Sequence, residues 1–155
     1  MYLQSLGHNV VAVDKSEVSC TQLKEFIVKN NIENIRVECR DVSGFEIEKS
    51  KYAIINIQNT LQFLDKEESL RIIKNIKESL LVNGLAIVSL FTVEDDSFRN
   101  GNKGIKSHFG KQELLNEFRD FEIVYYLEAR VPDRGHPGFE ESHYHGVAKI
   151  VARKS

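Results

Sequence analysis

Short apolar runs alternate with longer stretches whose apolar positions recur at helical spacing, so the chain reads as alternating strands and helices. Val10 to Val13 is a compact apolar run closed by Asp14, a buried-type strand that ends in an acid. Ser16 is a good helix N-cap, and the run to Asn30-Asn31 places Val18, Leu23, Phe26 and Ile27 near one helical face. Ile35 to Cys39 alternates as a second strand and leads into Arg40-Asp41-Val42. Tyr52 to Ile57 is continuously apolar, the pattern of a strand covered on both faces. Asp65 caps a long amphipathic helix, Lys66 to Leu81, with Leu70, Ile73, Ile76 and Leu80 on its buried stripe, and Asn83-Gly84 stops it. Leu85 to Thr92 is the next buried strand.

Beyond Thr92 the pattern changes. Val93 to Ser107 is polar and irregular, which predicts a mobile surface loop, and Lys111 to Phe118 a short helix. Phe121 to Arg130 and Gly146 to Arg153 read as two long strands, separated by a segment, Val131 to His145, that holds both prolines and three of the five histidines. Met1 to Leu6 is too short to be a helix alone, and Gly7 has the place of a helix C-terminal cap. The expected fold class is α/β: a mostly parallel sheet with an antiparallel C-terminal strand, in one domain spanning residues 1–155.

Composition changes this picture little. With 155 residues, 41% hydrophobic and 28% charged, the chain is an ordinary globular one, and its net charge of −2 favours neither nucleic acid nor an anionic membrane as partner. Cys20 and Cys39 have no metal or redox spacing and read as reduced structural thiols. No apolar run approaches the roughly 20 residues a membrane span requires, and no secretory signal opens the chain, so a cytoplasmic location is expected.

The chemistry begins at strand ends. In nucleotide-binding α/β folds an acid after a strand takes the ribose hydroxyls of a cofactor, because a carboxylate accepts from both. Asp14 has that position, Asp41 follows the next strand, and Asn56-Ile57-Gln58-Asn59-Thr60-Leu61-Gln62-Phe63-Leu64 sits where a third strand ends. Together with Leu6-Gly7-His8-Asn9 before the first strand and Asn83-Gly84 before the fourth, this order resembles class I S-adenosylmethionine-dependent methyltransferases. The nearest likeness is to the tellurite-resistance and thiol methyltransferase-like group.

The resemblance implies a Rossmann-like three-layer sandwich that binds S-adenosyl-L-methionine. Asp14 and Lys15 would lie at the ribose, Asp41 and the Val42 backbone N–H at the adenine, and Gln58 and Asn59 at the methionine end. It also implies a departure. The family's glycine-rich loop precedes the strand that ends in the ribose acid, yet no Gly-x-Gly occurs before Asp14. The first βα unit is absent from this pattern. Three explanations stand side by side: a chain shortened relative to a longer parent, which is favoured; direct pairing of the two strands that normally flank the missing one; or completion by another chain, a homodimer for example. Where the family has Pro-Gly-Gly, one glycine survives at Gly84, and a positive φ is expected there.

Arg134-Gly135-His136-Pro137-Gly138-Phe139-Glu140-Glu141-Ser142-His143-Tyr144-His145-Gly146 is the most distinctive local stretch. His143 and His145, two apart, share a face if they lie on a strand. Lining of a substrate pocket is favoured; a metal site with His136 and Glu140 or Glu141, and a plain polar loop, are the alternatives. The resembled group has a similar His-x-His-Gly stretch closing over its site. This implies His143, His145 and Arg130 as catalytic residues: imidazoles orienting a thiol or oxyanion, and Arg130, with Arg134, holding an anionic acceptor. The expected function is methyl transfer to a small molecule. A methyltransferase-like binding or regulatory module without catalysis, and a nicotinamide-dependent oxidoreductase, are the competing readings.

Overall fold

The protein is described by a computed structural model covering residues 2–101, 104–136 and 140–155. Met1, Asn102 and Lys103 of the expected loop, and Pro137, Gly138 and Phe139 of the histidine-rich stretch lie outside the described residues. The chain divides into two compact units, Met1–Glu46 and Ile47–Ser155.

The first unit contains a single helical turn α1 (Tyr2–Ser5), strand β1 (Val10–Asp14), helix α2 (Glu17–Lys29) and strand β2 (Ile35–Cys39). Gly7 follows α1 at φ 86°, a left-handed cap that glycine adopts without steric cost. β1 and β2 pair in parallel, with Asp14 opposite Cys39. Ser16 caps α2 by accepting from the Ser19 N–H at 3.2 Å, and Asn30 and Asn31 end it, Asn31 at φ 49°. The helix buries Cys20 and half-buries Leu23 and Ile27, at spacings of three and four. Val18 and Phe26, expected on that face, are exposed instead. The inward stripe is narrower than the apolar composition suggests, and it is centred on Cys20.

The second unit contains β3 (Tyr52–Gln58), α3 (Lys66–Ser79), β4 (Leu80–Phe91), α4 (Asp96–Asn100), α5 (Glu113–Glu117), β5 (Glu122–Asp133) and β6 (His143–Arg153). Its sheet has the order β3-β4-β6-β5, with β3 parallel to β4, and β6 antiparallel to both neighbours. The α/β class with antiparallel C-terminal strands is therefore as expected. β1 pairs with β2 within the first unit and β3 with β4 within the second. β3 forms an edge of its sheet. None of its seven residues is fully buried, in contrast to the expected two-sided cover.

The core lies between α3 and the sheet. Ser69, Ile72, Ile73 and Ile76 form the buried stripe of α3, at spacings of three and four, while Leu70 is only half-buried. They pack with Leu80, Ala86, Val88, Leu90, Ile150 and Ala152, and Phe109, Leu114 and Phe118 complete the core from α5 and its approach. Each large aliphatic side chain removed from water here contributes roughly 1.5–3 kcal/mol. Lys154 closes the C-terminal end of α3 by donating to the carbonyls of Lys77 and Leu80 at 2.9 and 2.8 Å.

At the Asn83-Gly84 turn the expectation needs correction. Asn83, not Gly84, takes the positive φ, at 65°. Gly84 is required for another reason: a Cβ there would lie 2.8 Å from the Leu81 carbonyl oxygen and 3.1 Å from that of Tyr52. The expected loop 93–107 is also corrected, because it contains α4 and a fully buried Asp95. The two C-terminal strands are longer than expected, running on to Asp133 and starting back at His143.

Candidate functional site

In the first unit, parallel pairing carries both acids to the same end of the two strands. Asp14 is the last residue of β1, and Asp41 lies two residues past Cys39, the register partner of Asp14. Each carboxylate organises its own turn. Asp14 Oδ1 accepts from the Ser16 N–H at 2.8 Å; Asp41 Oδ1 accepts from the Ser43 N–H at 3.0 Å and its hydroxyl at 2.8 Å. Lys15 Nζ stands 3.8 Å from Asp41 Oδ2, an exposed pair that stabilises little but marks how near the two turns are. Val42 opens the short 3-10 turn behind Asp41 and is half-buried. A cavity of about 150 Å³ lined by Ala12, Val13, Asp14, Ser19, Cys20, Leu23 and Val37 lies beside Asp14. Its floor, the Cys20 thiol, donates to the Asp14 carbonyl at 3.3 Å. The hydrogen bond with Cys39, burial, and the nearby Cys39 and Asp14 charges push that thiol up to about 11.

In the second unit, Gln58 and Asn59 end β3. Gln58 donates to Asn56 Oδ1 at 2.8 Å, and Asn59, at φ 51°, accepts from the Ser89 hydroxyl at 3.2 Å. The remaining expected residues sit on the β5–β6 ladder, whose register pairs Val131 with His145 and Asp133 with His143, but Arg130 with Gly146. Side chains alternate faces along a strand and cross-strand partners share one, so Asp133, His143 and His145 stand on one face and Arg130 on the other. The structure brings the two histidines together, Nε2 to Nε2 at 3.1 Å, and does not bring Arg130 to them. Arg130 instead bonds Asp96 Oδ1 at 2.5 Å and lies over the Tyr144 ring, 4.3 Å from its centroid. Arg134 is exposed.

The histidines are oriented from behind. His145 Nδ1 donates to Asp95 Oδ2 at 2.9 Å, and the same oxygen accepts from the Gly146 N–H at 3.2 Å. His143 Nδ1 bonds the Glu141 carbonyl at 2.9 Å. Phe91 stacks on His145, with ring centroids 4.8 Å apart. Asp95 caps α4 with its other oxygen, accepting from the Ser97 N–H at 2.8 Å and from its hydroxyl, and Ser97 Oγ meets His108 Nε2 at 2.9 Å. Burial holds His108 below the usual histidine range. The Tyr144 N–H and the Arg130 guanidinium hold Asp96 below the usual carboxylate range. The Gly135 N–H does the same for Asp133.

A family model described as "Tellurite resistance protein TehB" matches residues 1–133, most of the chain. The chain belongs to this family. It is 30% identical over 135 residues to the "Probable S-adenosyl-L-methionine-dependent methyltransferase TehB" of Haemophilus influenzae, covering 83% of this chain and 43% of that protein. It is 32% identical over 95 residues to the "Carboxy-S-adenosyl-L-methionine synthase" of Psychromonas ingrahamii, covering 60% of this chain and 38% of that one. The crystal structure of TehB from Haemophilus influenzae superposes with a TM-score of 0.82 at 25% identity, over 99% of this chain and 52% of the other. This member of the TehB family thus spans about two fifths of the length of the curated relatives it matches.

Sequence reasoning missed Asp95, Asp96 and Asp133. Asp95 had a signal, since Asp two residues before Ser is an N-cap pattern. Nothing local shows that its second oxygen reaches a histidine fifty residues on. A cavity of about 680 Å³ in the second unit, lined by Leu70, Lys74, Lys77, Glu117 and Phe121 among others, contains none of the expected site residues. Among the described residues, no helix is long and apolar enough to cross a membrane.

Proposed function

We propose that this chain carries the adenosine-binding edge and the acceptor-side strands of an S-adenosyl-L-methionine-dependent methyltransferase acting on a small molecule. One observation carries the reading within the family: the two acids, Asp14 and Asp41, emerge at one end of a parallel strand pair with Lys15 bridging toward Asp41. Ligands of open α/β sheets bind beyond the carboxyl ends of the strands. The residues fit the adenosine half of the cofactor. Asp14 keeps Oδ1 on its own turn and has Oδ2 for a ribose hydroxyl; Asp41 and the Val42 N–H fit an adenine edge, and Lys15 flanks them. Gln58 and Asn59 end β3 in the other unit, and the family likeness alone assigns them to the methionine end. The cofactor, when bound, supplies a methyl group on a sulfonium.

The acceptor reading rests on the β5–β6 face. His143 and His145 would orient a thiol or a chalcogen oxyanion, a substrate class in keeping with the tellurite resistance in the family's name. Holding a soft nucleophile in line contributes more than proton transfer does. Arg130 acts at one remove: through Asp96 it fixes α4, whose cap Asp95 holds His145.

Isothermal titration of this chain with S-adenosylhomocysteine tests the proposal. Micromolar binding is expected, with Asp14→Ala weakening it about 10- to 100-fold, the worth of hydrogen bonds to a charged group. No heat from the wild-type chain overturns the proposal and favours a binding module without cofactor. Unchanged methyl transfer by the complete enzyme carrying His143→Ala or His145→Ala removes the acceptor assignment.

A further inference from the structure

The geometry points to a divalent transition-metal site formed by Asp133, His136, His143 and His145. Their ligand atoms all lie within 4.8 Å of one another. The inference rests on this cluster alone and does not require cofactor binding; with a metal held there, His143 and His145 would act on an acceptor through the metal and not directly.

Asp95 Oδ2 only accepts, so His145 carries its proton on Nδ1, and Nε2 presents a lone pair. The Glu141 carbonyl only accepts, so His143 also carries its proton on Nδ1. The two Nε2 atoms face each other at 3.1 Å, a spacing that a shared proton or a metal ion would bridge. Such a pair needs a positive centre between them. Two nitrogens bound to one zinc ion at tetrahedral angles sit about 3.3 Å apart, each about 2.0–2.1 Å from the metal. Asp133 Oδ2 completes a third corner, 3.7 Å from His145 Nε2.

The fourth ligand is placed by the backbone. Gly135 has φ 104°, a conformation open to glycine, and its N–H donates to Asp133 Oδ1 at 2.7 Å. That tight turn returns the chain over the ladder and sets the His136 ring 5.2 Å from that of His143 and 6.0 Å from that of His145. It also ties up Asp133 Oδ1 and leaves Oδ2 on the cluster side. The partners behind the ligands are those of metal sites: a buried carboxylate on one histidine and a main-chain carbonyl on another, fixing tautomer and ring direction. Three imidazoles and one carboxylate suit zinc, cobalt or nickel rather than calcium or magnesium.

The test is titration of the chelator-treated full chain with Co2+, read by visible d–d absorption. A saturable one-to-one signal is expected, without the near-ultraviolet band of a thiolate ligand, and unchanged in Cys39→Ser. His136→Ala alters an exposed side chain, so its circular dichroism should match the wild type in chelator while Co2+ affinity falls about tenfold or more. Asp95→Asn, behind the ligand, should weaken binding about 10- to 100-fold. Asp133→Asn should weaken it, and His8→Ala should change nothing. Absence of saturable binding overturns the site. So does binding that survives both His136→Ala and Asp133→Asn within twofold, or a signal that disappears in Cys39→Ser. S-adenosylhomocysteine titration of the same samples reads the cofactor proposal separately, so either can fail alone.

Discussion

Gly146→Ala is the sharpest single perturbation of the histidine face. Gly146 sits where β6 passes the start of the α4 segment. A Cβ there would lie 2.3 Å from the Asp95 nitrogen, 2.4 Å from the Glu94 carbonyl carbon and 2.7 Å from Thr92 Oγ1. Two of these neighbours are backbone, so rotation of the Thr92 side chain alone cannot relieve the contact. Restoring ordinary contact near 3.5 Å requires a shift of about 1 Å. The strand is held in place by the Thr92 N–H donating to the Gly146 carbonyl at 2.8 Å, so the α4 segment has to move. Overpacking of this kind costs about 1–3 kcal/mol. The shift also stretches the hydrogen bonds from His145 and Gly146 to the buried Asp95 carboxylate, worth about 1.5–3 kcal/mol for a charged acceptor. A loss of about 2.5–6 kcal/mol is expected, a large part of the about 5–15 kcal/mol a domain has in total. Urea unfolding followed by tyrosine fluorescence reads it. Tyr52, Tyr125, Tyr126 and Tyr144 all lie in the Ile47–Ser155 unit, and the chain has no tryptophan. Gly110→Ala, in the same unit and with only the Glu113 carboxylate at 3.4 Å from its new methyl group, is the control and should stay within about 0.5 kcal/mol. A Gly146→Ala variant as stable as that control would refute the close approach, and with it the route by which Asp95 reaches His145.

Two further outcomes follow from the charges and thiols. With its thiol raised to about 11, Cys20 is roughly one part in a thousand thiolate at pH 8, and it is also buried, whereas Cys39 is exposed. Iodoacetamide should add once to the native chain, at Cys39, and reach Cys20 only after unfolding; equal labelling rates in the mass spectrum would contradict this. Asp96 is held below its unfolded value, so its stabilising contribution is complete above the ordinary carboxylate range, about pH 4, and is lost as pH falls through the lower folded value. The stability gap between wild type and Asp96→Asn should be constant near neutrality and shrink below about pH 4. A gap unchanged in acid would show that the Arg130 and Tyr144 contacts do not depend on the carboxylate charge.

The sequence by itself determined most of the elements, α4 excepted. Ser16 and Asn30-Asn31 bound α2, Asp65 precedes α3, and the apolar runs at Val10, Ile35, Tyr52 and Leu85 became strands. These signals are local, because caps and periodicity act within a turn or two of chain. It also set both acids at strand tips and two histidines on one face of a strand, since period-two alternation needs no partner to be read. The faces of α2 and α3 were legible only in part: Cys20 and Ser69 are small and weakly apolar, and what packs against them decides that they are buried.

Only the tertiary structure decided the site around the histidines. The β5–β6 register sets Asp133 beside His143 and puts Arg130 on the opposite face, and register depends on the whole ladder rather than on any local signal. Asp95 is a helix cap by sequence and a histidine partner by fold, because β6 happens to pass within contact of its turn at a residue with no side chain. Likewise Asn83 took the left-handed backbone expected of Gly84, while Gly84 was reserved for the close approach of three carbonyls. Chain-local physics selects conformations; which side chains meet across fifty residues is fixed by packing.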